Sequence, residues 1–131
     1  MPSDTIVAHE RVSKRFGSTQ AVVDVTFDVR RGRCIGWLGP NGSGKTTLIR
    51  CMLGLARASA GTIHVRGHPV PGETRQALER VGGMVEEPRF YPYLSGRRNL
   101  QVWASFYGGR AHGRVDETLA RVGLTDRAGA P

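Results

Sequence analysis

The chain has 131 residues, 39% hydrophobic and 23% charged, which is one domain's worth of a folding composition and excludes a disordered polymer. No apolar run approaches the roughly 20 residues of a membrane span, the opening MPSDTIVAHE has no signal-peptide core, and two cysteines are too few for a disulfide scaffold, so a soluble cytoplasmic chain is the default expectation. The net charge is +8 and every basic residue except Lys14 and Lys45 is Arg; the arginines are scattered and not interleaved with aromatics, so a compositional bias is the simpler reading and nucleic acid is not an expected partner.

In chain order, Ile6 to Lys14 reads as a strand, and AVVDVTFDVR (21–30) alternates through Val23, Val25, Phe27 and Val29 as a half-buried strand does. Cys34-Ile35-Gly36-Trp37-Leu38 is a short apolar run, as expected of a strand buried on both faces. A glycine-rich turn follows, then a helix from Thr46 to Leu53 with Leu48, Ile49, Met52 and Leu53 on one face and Gly54 as its stop. Gly61–Val65 reads as a strand, Glu73–Arg80 as a short helix and Val81–Val85 as another strand. The loop EEPRFYPYLSG covers 86–96, with Phe90, Tyr91 and Tyr93 between its prolines. Two helices follow, one with Leu100, Trp103, Ala104 and Tyr107 at helical spacing, the other with Val115, Leu119 and Val122 ahead of Gly123. The closing LTDRAGAP offers no element to tie that end down, and Cys34 and Cys51 are expected to be reduced core residues.

One stretch carries chemistry. Gly39-Pro40-Asn41-Gly42-Ser43-Gly44-Lys45-Thr46 satisfies GxxxxGK[ST] between an apolar run and an amphipathic helix. Glycines let backbone N–H groups turn inward to within hydrogen-bonding distance of phosphate oxygens. The helix that opens near Gly44 adds its positive end and unpaired amides, Lys45 supplies a mobile charge to the outer phosphates, and Thr46 supplies a hydroxyl to Mg²⁺. A chance match at this composition has odds of roughly 1 in 200.

Neighbouring segments narrow the reading. RVSKRFG (11–17), GPNGSGKTT (39–47), ASAGTIHVRG (58–67) and VGGMVEEPRFYPYLSGRRNL (81–100) stand in the order and spacing of the ATP-binding cassette (ABC) family, and the chain resembles the nucleotide-binding subunit of an ABC transporter across essentially its whole length. The resemblance implies that Phe16 stacks on adenine, against the alternative of an ordinary core phenylalanine at a strand end. It implies that Gly39 and Asn41, Gly42, Ser43, Gly44, Lys45, Thr46 and Thr47 hold the phosphates of ATP, Thr47 toward the α-phosphate. Glu86 stands where the family usually has Gln, in the loop that touches Mg²⁺ or attacking water and abuts the membrane subunit. A carboxylate can ligate Mg²⁺ but, when ionised, cannot donate as an amide does; the alternative is that Glu86 and Glu87 are solvated loop charges. "EEP" here is similar to a branch associated with export of, or immunity to, peptide antibiotics and drugs, and the aromatics Phe90, Tyr91 and Tyr93 either face a permease or pack on themselves.

The family's later motifs are not found. Leu94-Ser95-Gly96 resembles the signature loop superficially but reads as the Ser-capped start of a helix, and Asp116-Glu117 follows no apolar strand and reads as first-turn acids. His9, His64, His68 and His112 have no switch context. The expectation is therefore an α/β P-loop NTPase fold of the ABC nucleotide-binding type: antiparallel N-terminal strands, a mainly parallel core sheet with helices, and a truncated C-terminal half. It forms a single partial domain over 1–131, divided into 1–38, 39–85 and 86–131. Such a chain is expected to bind ATP and Mg²⁺ as the cytoplasmic subunit of a transporter, docked on a transmembrane permease and paired head to tail with a second ATP-binding subunit, yet not to hydrolyse ATP efficiently alone. Open alternatives are a vestigial or regulatory nucleotide-binding fragment, a small P-loop kinase with Arg97 and Arg98 as lid residues, and a soluble ABC protein acting on nucleic acid.

Overall fold

Apolar alternation at the start of the chain builds a long antiparallel hairpin. In the computed structural model, which describes residues 4–88 and 90–130, β1 (Thr5–Phe16) and β2 (Thr19–Arg30) pair from Thr5↔Arg30 to Phe16↔Thr19. Expectations that fall on residues 1–3, on Arg89 of the 86–96 loop and on Pro131 of the closing segment lie outside the described residues. β3 (Ala60–Val65) pairs with the other edge of β1, and the short β4 (His68–Pro69) pairs with β3, giving the order β2-β1-β3-β4 with every pairing antiparallel.

The hairpin is not regular. Between Val12↔Val25 and Lys14↔Val22, two steps on β1 face three on β2, a bulge at which Asp24 adopts φ 46. Side chains serve the displaced backbone there: Asp24 N–H donates to Ser13 Oγ at 2.9 Å, and Arg11 N–H to Thr26 Oγ1 at 2.9 Å. The extra residue shifts the alternation by one, so Val22 is buried and Val23 is exposed, whereas the sequence pattern places Val23 inward with Val25, Phe27 and Val29.

Helix α1 (Lys45–Met52) buries Leu48 and Cys51 in one core with Val12, Val22, Ile63, Val65, Val70 and Ala77, the last on α2 (Thr74–Leu78). Burial pushes the Cys51 thiol pKa up, partly offset by the charge of Lys14. Each fully buried aliphatic here contributes about 1.5–3 kcal/mol.

Two expected core strands do not form among the described residues. Residues 34–38 are in no ladder and all are exposed, with Leu38 at 93% and Cys34 on the surface; residues 81–85 are likewise unpaired, with Met84 exposed. An apolar run becomes a buried strand only when neighbouring strands take up its N–H and C=O groups, and no described strand lies beside either run. The parallel part of the expected sheet is therefore not built by these residues; the sheet they do build is antiparallel.

The chain divides into two compact units, Met1–Glu87 and Pro88–Pro131. The second is helical: α3 (Gly96–Ser105), α4 (Gly109–His112), α5 (Val115–Arg121) and a 3₁₀ turn (Thr125–Arg127) surround a small core of Ala104, Val115, Leu119 and Ala128 with Leu100 and Ala111. Ser95 caps α3 by accepting from Arg98 N–H, and Asp116 and Glu117 occupy the first turn of α5, as the sequence suggests. Trp103 and Tyr107 do not face this core; only Leu100 and Ala104 of that set do. The closing segment is tied down, contrary to expectation: Ala128 O accepts from Arg97 N–H at 2.9 Å and Ala130 O from Gly96 N–H at 3.3 Å. These are orphan donors of the first helical turn, which the last residues satisfy. No helix among the described residues is long and apolar enough to cross a membrane.

Candidate functional site

The glycine-rich segment is seated by backbone fit. Gly42 and Gly44 sit at φ 83 and φ 85, the left-handed region that glycine adopts without penalty. At Gly44 a Cβ would be driven into the Ala21 carbonyl oxygen of β2, so the loop rests directly on that strand. Ser43 N–H closes a turn onto Pro40 O at 3.2 Å, and the first bond of α1 runs from Leu48 N–H to Gly44 O at 2.9 Å. The amides of residues 45–47 precede it and have no intrahelical acceptor. The first turn of α1 carries no acidic side chain and its N-cap supplies no side-chain hydrogen bond, so the positive end of the helix is uncompensated.

Lys45 is turned back onto its own loop. Its Nζ donates to Gly39 O at 2.6 Å, Pro40 O at 2.7 Å and Ser43 Oγ at 3.3 Å, which uses all three ammonium protons. Thr46 is exposed and Thr47 half-buried, and neither hydroxyl has a hydrogen-bond partner among the described residues; Asn41 is exposed at the tip of the turn. Amides, an uncompensated helix end and an ammonium held by weakly competing carbonyls fit an anion such as a phosphate chain.

Phe16 ends β1 as a residue 53% exposed, with Lys14 Nζ 4.6 Å from the ring centroid. The alternative of an ordinary core phenylalanine does not hold. Lys14 Nζ lies over one face of the ring, and about half of the residue's surface reaches solvent.

Glu86 was not expected to have a partner within the chain. Its Oε1 accepts from Arg50 Nη2 at 2.7 Å, and its backbone adopts φ 64. Glu86 is thus a solvent-exposed charge with an ion-pair partner, and Glu87 is exposed with no hydrogen bond among the described residues. Sequence reasoning missed Arg50 because 36 positions separate it from Glu86; its one visible signal is its place one turn after Thr46 on the same helix. No hydrogen bond among the described residues joins Glu86 or Phe16 to the 39–47 loop. Thr46 hydroxyl and Glu86 carboxylate are hard oxygen donors, the type that suits Mg²⁺.

Tyr91 in the aromatic loop is fixed by Asn99, whose Oδ1 accepts from Tyr91 N–H at 2.7 Å while Nδ2 donates to Tyr91 O and Leu94 O, both at 3.0 Å. Phe90, Tyr91 and Tyr93 remain exposed, although Tyr91 and Tyr93 approach to 5.8 Å between ring centroids.

Comparison with known proteins bears on the whole chain. A family model described as ABC transporter (ABC_tran) matches residues 22–131. An ABC transporter ATP-binding protein of Bacillus subtilis (strain 168), YdbJ, is 44% identical over 123 residues, covering 94% of this chain and 40% of that protein. The bacitracin transport ATP-binding protein BcrA of Bacillus licheniformis is 38% identical over 120 residues, covering 92% of this chain and 39% of its own length. A solved structure of the ATP binding subunit of an ABC transporter superposes with a TM-score of 0.79 at 26% identity, covering 95% of this chain and 53% of that one. The chain thus spans about 40% of the length of these curated relatives and about half of that solved chain. With a phosphate-type loop on an α/β scaffold and a family match over residues 22–131, the chain belongs to the ABC transporter family.

Proposed function

We propose that this chain binds Mg-ATP as part of the ATP-binding subunit of a transporter, exporting its cargo through a membrane permease. The observation that carries the reading is the Lys45 loop: an ammonium parked on two carbonyls and a hydroxyl beside unpaired helix amides. A triphosphate offers the ammonium charged acceptors in place of neutral ones, and charge-assisted bonds are roughly twice as strong. Lys45 thus exchanges its loop carbonyls for phosphate oxygens as the nucleotide enters, while the 45–47 amides receive the remaining charge. Thr46 and Glu86 are the groups that would hold Mg²⁺, which when bound neutralises charge on the outer phosphates. Phe16 offers the base a ring face, and Lys14 beside it adds a cation.

Hydrolysis calls for a further acidic group and an oriented water, and the family's signature and Asp-Glu motifs are not found among these 131 residues. A head-to-tail pairing with a second ATP-binding subunit is the arrangement in which such groups would meet the nucleotide. The exposed aromatic loop held by Asn99 supports a permease contact at the cytoplasmic face of the membrane. Export is favoured by the EEP segment, which is similar to the drug and peptide-antibiotic branch, and agrees with the transport role named for BcrA.

Equilibrium titration with labelled ATP and magnesium tests this. Lys45→Ala should weaken binding by about 1.5–3 kcal/mol, roughly 10- to 150-fold; unchanged affinity would remove Lys45 from the role. Phe16→Ala should cost ATP about 1–3 kcal/mol, the range for a base stacked on a ring, and leave inorganic triphosphate untouched. Equal losses for both ligands would assign the ring to packing.

A further inference from the structure

Arg50 lies four residues after Thr46 on α1, so the two share a face one turn apart. Helical side chains lean toward the N-terminus, which carries the Arg50 guanidinium back toward the Thr46 end. Arg50 Nη2 holds Glu86 by Oε1 alone, at 2.7 Å; Oε2 has no partner among the described residues. Glu86 also keeps φ 64, a conformation that L-residues rarely adopt and that needs support from its surroundings.

Together these features account for a carboxylate at this position. A lone carboxylate near a triphosphate would repel it. Paired with Arg50 it is locally neutral, and an amide could not form that ion pair. Ligating carboxylates are themselves commonly oriented by a hydrogen bond through one oxygen while the other faces the metal.

We infer that Arg50 is the positioning residue for Glu86: it delivers the carboxylate to the Thr46 face of α1, with Oε1 committed to the guanidinium and Oε2 left for the divalent cation. This rests on the reading of Glu86 as a metal ligand, and the two are separable by experiment. The affinity of a labelled, non-hydrolysable ATP analogue is measured with Mg²⁺ and again in chelator, for the protein and for Arg50→Met, Arg50→Gln, Arg50→Lys and Glu86→Ala, with thermal unfolding of each recorded alongside.

The gain in affinity that Mg²⁺ confers should fall about 10-fold in Arg50→Met and Arg50→Gln, the low end for loss of a group that orients a metal ligand. In chelator Arg50→Met and Arg50→Gln should also bind more weakly, because Glu86 is left unpaired near the triphosphate. Adding Glu86→Ala to either should restore that metal-free binding, which a merely structural role would not do. Arg50→Lys keeps a single charged donor and should recover most of the gain. Glu86→Ala should lose the gain as Arg50→Met does, and combining the two should add nothing. If Glu86→Ala loses the magnesium gain while both neutral Arg50 variants keep or exceed it, Arg50 does not position the ligand. If Glu86→Ala keeps the gain, the ligand reading falls and the inference falls with it.

Discussion

Gly44→Ala is expected to lower the unfolding free energy by about 3–5 kcal/mol, enough to remove much of a small domain's stability. Two penalties coincide there. The residue sits at φ 85, where a side chain costs about 1–2 kcal/mol, and its Cβ would occupy the space of the Ala21 carbonyl oxygen. Backbone cannot give way as a flexible side chain does, so β2 and the start of α1 must part. Leu48, four residues on and fully buried, would lose its seat against Val22 in the same movement. Gly42→Ala separates the two penalties, because Gly42 has a similar φ of 83 but open space where its Cβ would go. It should cost only the conformational term. Urea midpoints of the two variants provide the measurement; a Gly44→Ala midpoint as mild as that of Gly42→Ala would show that the loop does not rest on β2.

How much of this was legible beforehand follows from the range of the interactions. Alternation over 21–30 and the helical spacing of Leu48, Ile49, Met52 and Leu53 depend on neighbours close in sequence, and β2 and α1 appear where the pattern puts them, although α1 buries Leu48 with Cys51. The loop glycines were equally readable, since a positive φ is a local demand. The run at 34–38 misled because its apolar residues report what a strand would bury without reporting whether partners stand beside it. Trp103 and Tyr107 share helical spacing with Leu100, yet a core as small as Ala104, Val115, Leu119 and Ala128 has room for only the smaller members of that set.

The site divides along the same line. GxxxxGK[ST] announces itself because backbone geometry, helix start and lysine must follow within eight residues. The Arg50–Glu86 pair and the Asn99 clasp on Tyr91 have no such grammar. Each joins residues through the tertiary fold or across an irregular loop, and a lone arginine or asparagine in sequence does not say what it holds. What periodicity could not reveal was a charge or amide whose partner lies off the element that carries it.

His9 shows the same point through its protonation. It lies mid-β1, 1% exposed, stacked on Phe27 at 4.3 Å between ring centroids, with neither ring nitrogen hydrogen-bonded. Burial lowers its pKa from 6.5 to about 4, the nearby charge of Asp28 pulling weakly the other way. Because the folded value lies below the unfolded one, the neutral ring's contribution is complete above pH 6.5 and is lost as pH falls toward 4. Below that window the folded state takes up the proton as well, and the loss levels off at about 3 kcal/mol. His9→Phe removes the titration while keeping a ring against Phe27. Its urea midpoint should therefore decline less than the parent's between pH 7 and pH 4.5, and the difference should close above about pH 7. Parallel declines in the two proteins would mean that His9 reaches water or a hydrogen-bond partner, and that the core between β1 and β2 is looser than its burial implies.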